Sequence, residues 1–271
     1  MDLIRIDLED LNSYDAARIE AIQNTIDCYQ ILNDLIATDA YVVGGFALAL
    51  LFGRIKNELI NEEMYSDIDV INYNQPIEYL CFQNDLKKVW ESDNAQTYAN
   101  DFMTIQYIKL YQPDKPFFQS YDLVNSKIMY SLKGNYFLLD KELVPTMTRN
   151  YVQISDWIIN KQFDRCLEPW SEDVRYRTFN RIVKYGIRWN FSPTRNTLTW
   201  MKEVFPEISI KYAKAKYLPT VSSTQLEDNQ TTTKEQFFEN FISWISLRIC
   251  ETSLQSSIRL GVHSLRDRHF H

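Results

Sequence analysis

The spacing of hydrophobic and polar residues changes character partway along this chain, and the change divides it. From Ser13 to about Ala37 the apolar positions Ala16, Ile19, Ile22, Ile26, Tyr29 and Leu32 recur at three-to-four spacing. That pattern predicts one amphipathic helix, opened by Asn12 or Ser13 as a cap. A short apolar strand follows, AYVV at 40–43, then the pair Gly44-Gly45, then an apolar helix, FALALLFGR at 46–54. The charged stretch KNELINEEMY at 56–65 leads into SDIDVINY at 66–73, where carboxylate and aliphatic residues alternate as in a strand with one buried face. IEYLCFQNDLKKVWES at 77–92 reads as a helix and TYANDFMTIQYIKLY at 97–111 as one or two strands. FFQSYDLVNSKIMYSL at 117–132, a Lys-Gly-Asn turn and YFLLD at 136–140 complete a mixed sheet.

Beyond residue 141 the pattern becomes helical. WIINKQF, then SEDVRYRTFNRIVKYGIRWN with Ser171 as its cap, then TRNTLTWMKEVF all carry helical spacing. The polar stretch at 218–234 reads as an exposed linker and 235–265 as a long closing helix. The expected organisation is therefore α+β: a mixed sheet flanked by helices over 1–145, followed by a helical domain over 146–271.

Composition narrows the class. With 271 residues, 45% of them hydrophobic, the chain can bury a substantial core, which excludes wholesale disorder. No run approaches the roughly 18 apolar residues that a membrane span needs, and MDLIRIDLED is acidic where a signal peptide would be basic, so a cytoplasmic location without a membrane partner is expected. Cys28, Cys81, Cys166 and Cys250 lie far apart and are expected to be reduced and buried. His263, His269 and His271 crowd the C-terminus, so a structural zinc site is not expected. The net charge of −7 argues against a protein that coats nucleic acid with its whole surface. Between Arg175 and Lys216, however, ten basic residues face only Glu203 and Glu207, so an anion can be met locally.

Three features carry chemistry. Side chains two apart on a strand share a face, so Asp67 and Asp69 project together while Ile68 and Val70 point into the core. Two carboxylates aimed at one spot repel unless a cation sits between them, and Asp122 in QSYDLV could add a third oxygen from a neighbouring strand. Three hard oxygen donors describe a magnesium or manganese site. Gly44 and Gly45 join a strand to a helix, where free amides and a missing Cβ favour phosphate. Phosphate beside magnesium suggests a nucleoside triphosphate. The Walker and dinucleotide glycine patterns are both absent, which argues against an ATPase or a dehydrogenase. Taken singly, each feature has an ordinary structural explanation, as a cramped turn, a solvent-facing strand or a hydrogen-bonded strand end.

In this order, VVGGFALALLFGR followed by SDIDVI resembles the DNA polymerase β-like nucleotidyltransferase superfamily over roughly residues 35–130. The resemblance implies that Gly44 and Gly45, with Ser66, hold the nucleotide's phosphates and that Asp67, Asp69 and Asp122 are catalytic metal ligands. The implied reaction is two-metal transfer of a nucleoside monophosphate from an NTP to an acceptor hydroxyl, with Mg2+ or Mn2+ as cofactor. Twenty-one residues separate Gly45 from Asp67, more than in compact members, with IKNELINEEMY reading as a surface insertion. RYRTFNRIVKYGIRWNF is similar to a helix of viral and phage-type RNA nucleotidyltransferases, which would place the protein in a host cytoplasm. There Arg177, Arg181, Lys184 and Arg188 stack on one face, opposite Phe179, Ile182, Val183 and Gly186. Arg181 and Lys184 are expected to meet the triphosphate or an RNA backbone, with Tyr185 or Trp189 near the base. An RNA 3′ end, such as that of tRNA, is the expected acceptor. The alternatives are nucleotidylation of a protein or small molecule, or a non-catalytic scaffold that retains the fold.

Overall fold

The computed structural model describes residues 3–11, 16–72, 77–109, 121–144, 151–153, 172–189 and 191–204. The caps expected at Asn12, Ser13 and Ser171, the WIINKQF helix, the 218–234 linker, the 235–265 helix, Cys166, Cys250 and the three histidines lie outside them. The chain divides into two compact units, Met1–Pro145 and Thr146–His271.

The first unit is an α+β sheet structure. In chain order it runs β1 (Leu3–Asp7), α1 (Leu8–Leu11), α2 (Ala16–Asp27), α3 (Gln30–Ile36), β2 (Ala40–Val43), α4 (Gly44–Phe52), β3 (Ile55–Lys56), β4 (Leu59–Ile60), β5 (Ile68–Asn72), α5 (Glu78–Gln83), β6 (Lys87–Glu91), β7 (Ala95–Ala99), β8 (Thr104–Ile108), β9 (Ile128–Ser131) and β10 (Tyr136–Asp140). Eight strands form one sheet in the order β1-β10-β9-β2-β5-β8-β7-β6. Its neighbours are antiparallel except β5 and β8, which run parallel.

Strand alternation sorts the side chains onto two unlike faces. Val42, Val70, Ile68, Tyr130, Phe137 and Leu139 point to one face and are almost wholly buried, as are Phe46 to Leu50 of α4, which packs on β2, β5 and β9. The opposite face has a smaller cluster, Val43, Ile71 and Met129, with Tyr41, Ile108, Tyr121 and Leu138 partly buried against it. No described helical residue joins that second cluster.

Several expectations are corrected. The single helix over 13–37 is two helices broken at Cys28-Tyr29. Tyr29 is extended there (φ −115, ψ 99), and it sets its ring edge-on to Phe46 and its hydroxyl 3.0 Å from that of Tyr65. Cys28, at the break, is exposed and not buried, whereas Cys81 is buried and its thiol pushed up to about 12 by desolvation. The helix over 77–92 stops after six residues. Asp85 turns left-handed (φ 57), the Leu86 amide bonds the Cys81 carbonyl (2.9 Å) and the Asp85 amide bonds that of Phe82 (3.2 Å), a Schellman ending. Lys87–Glu91 is then the edge strand β6, its row of lysines and its bulge between Lys88 and Trp90 blunting the edge. Lys109, Gln96 and Lys88 converge on Glu91 and hold its carboxyl down to about 2. The charged insertion is a small hairpin, β3 to β4, whose turn residues Asn57 and Glu58 both have positive φ, the twist that two-residue hairpins require.

In the second unit, α6 (Glu172–Trp189) and α7 (Arg195–Val204) form where helical spacing predicts them, with Thr194 capping α7 through its hydroxyl (3.3 Å to the Thr197 amide). A parallel pair of two-residue strands, β11 (Tyr151–Val152) and β12 (Ser192–Pro193), accompanies them.

One buried hydroxyl ties α2 to the β3–β4 hairpin. Thr25 Oγ1 donates to the Ala21 carbonyl (2.6 Å) and accepts from the Ile60 amide (2.8 Å). Thr25→Val keeps the shape but strands that amide, and is expected to cost about 1–3 kcal/mol. A urea unfolding midpoint equal to wild type would show that the bracket contributes nothing.

Candidate active site

The site is built where β2 ends. Val43 is extended, and Gly44 then takes a left-handed turn (φ 62) that starts α4 at once. Val43, the residue before α4, makes no side-chain cap hydrogen bond, and the amides of a helix start favour an anionic acceptor. A Cβ at residue 44 would lie 3.1 Å from Asp69 Oδ2, a tight contact, and the positive φ there favours glycine. Gly45, half-buried, continues into the helix.

Asp69 reaches this corner because β5 pairs antiparallel with β2, placing it opposite Val43. Its Oδ1 is buried and accepts no hydrogen bond, while the residue keeps other interactions. Asp67 lies in the bend just before β5, half-buried, separated from Asp69 by buried Ile68. The Ser66 hydroxyl donates to Asp67 Oδ1 (2.7 Å), beside that carboxylate.

The structure places Asp122 differently from the sequence expectation. Strand directions put the starts of β5, β8 and β9 at the end of the sheet where β2 finishes, and Asp122 belongs to that end. It is not on a strand, however. It is buried in the connection before a single 3-10 turn, Val124–Ser126, that leads into β9, and β2 separates β9 from β5. Among the described residues no three histidine, cysteine or acidic side chains stand close enough together to hold a metal ion. Asp67, Asp69 and Asp122 are therefore not gathered into one closed cradle. The Asp67-Asp69 pair still fits magnesium, which commonly takes one or two carboxylates and completes its shell with water and substrate phosphates.

Two residues at this end escaped the sequence reading. Lys127, almost fully buried, pairs with Asp140 at 3.5 Å, and the Asp140 amide bonds its carbonyl. Gln106 occupies the β8 position in register with Asp69. Neither belongs to an acidic motif, and nothing local in the sequence marks their partners.

In the second unit, Arg177 and Arg181 are exposed and Lys184 and Arg188 half-buried, while Phe179, Ile182, Val183 and Gly186 are buried. Tyr185 and Trp189, expected near a base, lie on the buried side at 6% and 9% exposure.

The fold has solved counterparts. The chain resembles a CCA-adding enzyme determined with ATP, with a TM-score of 0.50 and 16% identity over 76% of this chain and 46% of that one. It resembles equally the Thermotoga maritima CCA-adding enzyme complexed with tRNA, with a TM-score of 0.50 and 15% identity over 76% and 47%. CCA-adding enzymes belong to the polymerase β-like superfamily, and the likeness establishes the nucleotidyltransferase-type mixed sheet flanked by helices. The chain spans less than half the length of these enzymes. Its sequence matches no protein-family model and no curated protein. No described helix is long and apolar enough to cross a membrane.

Gly44→Ala is expected to cost about 1–2 kcal/mol from left-handed strain, and to push Asp69 off the helix start. Gly45→Ala, with an ordinary φ, is expected to keep wild-type stability. Equal urea midpoints for the two variants would refute the corner geometry.

Proposed function

We propose that this protein is a divalent-metal-dependent nucleotidyltransferase that moves a nucleoside monophosphate from an NTP to an acceptor hydroxyl, preferably at an RNA 3′ end such as that of tRNA. The observation that carries the reading is the Asp69 carboxylate set against the Gly44 turn at the uncapped start of α4. A phosphate received by the α4 amides would lie beside the two carboxylates that hold its counter-ion. The fold's likeness to enzymes solved with ATP and with tRNA supports the substrate classes.

In this reading the first unit, over 1–145, is catalytic. Gly44 and Gly45 leave backbone amides open to the triphosphate, and Asp67, aligned by Ser66, acts with Asp69 as the metal-binding pair. Bound divalent ions supply electrostatic stabilisation of the transferring phosphoryl group and activation of the acceptor hydroxyl. The acceptor oxygen forms a bond to the α-phosphorus, the α–β phosphoanhydride bond breaks, and pyrophosphate leaves with the electron pair of that bond. Asp122 adds negative charge at the same end of the sheet, near where the acceptor's proton must depart. The unit over 146–271 binds nucleotide or acceptor through Arg181 and Lys184, with Tyr185 supporting that helix from its buried side.

The net charge of −7 favours a second reading of the acceptor, a protein or a small molecule, since an acidic surface repels RNA outside the basic helix. One experiment separates the two. The protein is incubated with each labelled NTP, magnesium or manganese, and total RNA or total protein. Label in RNA supports the preferred acceptor, label in protein or in a small molecule separated from the free NTP supports the second, and none in any of them refutes the enzyme. Asp67→Asn and Asp69→Asn are each expected to lower transfer by about 100-fold or more while remaining folded. Near-wild-type turnover in either would remove that residue from the metal pair. Reversing Arg181 and Lys184 to Glu is expected to raise KM for nucleotide or RNA, and unchanged kinetics would make the basic helix face a solvated surface only.

A further inference from the structure

The strand beside Asp69 carries a residue that the acidic motif does not include. β5 and β8 run parallel with Ile68 opposite Ile105, Asp69 opposite Gln106 and Val70 opposite Tyr107. Residues in register on adjacent strands project from the same face and sit about 4.8 Å apart along the hydrogen-bonding direction. Gln106 is therefore the immediate neighbour of Asp69 on the side away from Val43.

Its amide is held in place. Thr97, opposite Gln106 on β7, accepts a hydrogen bond from Gln106 Nε2 at 3.1 Å. The other end of the same amide is a carbonyl oxygen, a hard neutral donor suited to magnesium or manganese, on the residue in register with Asp69. Gln106 is half-buried, so anchoring restricts it where a freely rotating surface glutamine would not be restricted.

We infer that Gln106 is an uncharged oxygen donor to the divalent ion held by Asp67 and Asp69, presented by β8 and oriented by Thr97. This rests on the nucleotidyltransferase reading of the Asp67-Asp69 pair. It supplies the neighbouring-strand oxygen that Asp122, two strands away and off the strand, does not. It also has a charge consequence. Two carboxylates and an amide bring less negative charge to the ion than three carboxylates would, so the ion is held weakly until the triphosphate contributes its own oxygens.

Manganese binding to the full-length chain tests this without any turnover. The readout is electron paramagnetic resonance titration with manganese alone and with manganese plus α,β-methylene ATP. Gln106→Glu is expected to tighten manganese alone by about tenfold, whereas Gln106→Met, which keeps the volume and removes the oxygen, loosens it in the presence of the analogue by a similar factor. Thr97→Val shifts binding in the same direction as Gln106→Met. Circular dichroism establishes that each variant is folded. If Gln106→Met binds manganese as wild type does while Asp69→Asn loses it, Gln106 is not a donor and the carboxylate pair stands, even where Gln106→Glu tightens binding by creating a new ligand. If Asp69→Asn keeps wild-type manganese binding, the pair and this inference fail together.

Discussion

The structure turns on the approach of one carboxylate to one backbone corner. Asp69 Oδ2 lies 3.1 Å from where a Cβ at residue 44 would be, and residue 44 has the positive φ that favours glycine. That contact requires β2 to pair with β5 in the register that sets Val43 opposite Asp69, and it requires α4 to start without a linker. Each requirement supports the others. A shift of one residue in either strand would turn Asp69 toward the helices and carry Gly44 away from it.

The division of the sheet into two faces explains why the Asp69 carboxylate can exist at all. Behind β2 and β5, α4 and its neighbours seal a core of Phe46, Leu48, Leu50, Val42 and Val70, and an ionised group there would cost several kcal/mol without a partner. Alternation places Asp69 on the other face, with the smaller apolar cluster of Val43, Ile71 and Met129. The helix-covered face holds the strands in place beneath α4. Thr25, bracketing α2 to β4, and Tyr29, breaking the helix to reach Tyr65, belong to the sealed side and stiffen what lies beneath α4.

Much of the fold was legible because it is written locally. Alternation in AYVV, SDIDVIN and YFLLD marks strands, and three-to-four spacing marks α6 and α7, whatever the rest of the chain does. The errors fell where tertiary contacts overrule local preference. Helical spacing ran unbroken through Tyr29, but the ring and hydroxyl find Phe46 and Tyr65 only if the helix stops. In 77–92 the Asn84-Asp85 turn was a visible stop signal, yet the strand after it gains its identity only from pairing with β7. The edge strand β1 went unread for a related reason: Leu3–Asp7 is short, exposed and defined by its partner β10.

The same boundary runs through the site. By itself the sequence determined the glycine corner and the strand that carries Asp69, because a strand's two-residue period and glycine's access to positive φ are properties of a few adjacent residues. Only the tertiary structure decided which strand lies beside β5. It put β8 there, with Gln106 in register, and set Asp122 beyond β2 in the connection before β9. Strand order reflects how the whole chain buries its apolar faces, a sum over distant contacts that no single motif contains.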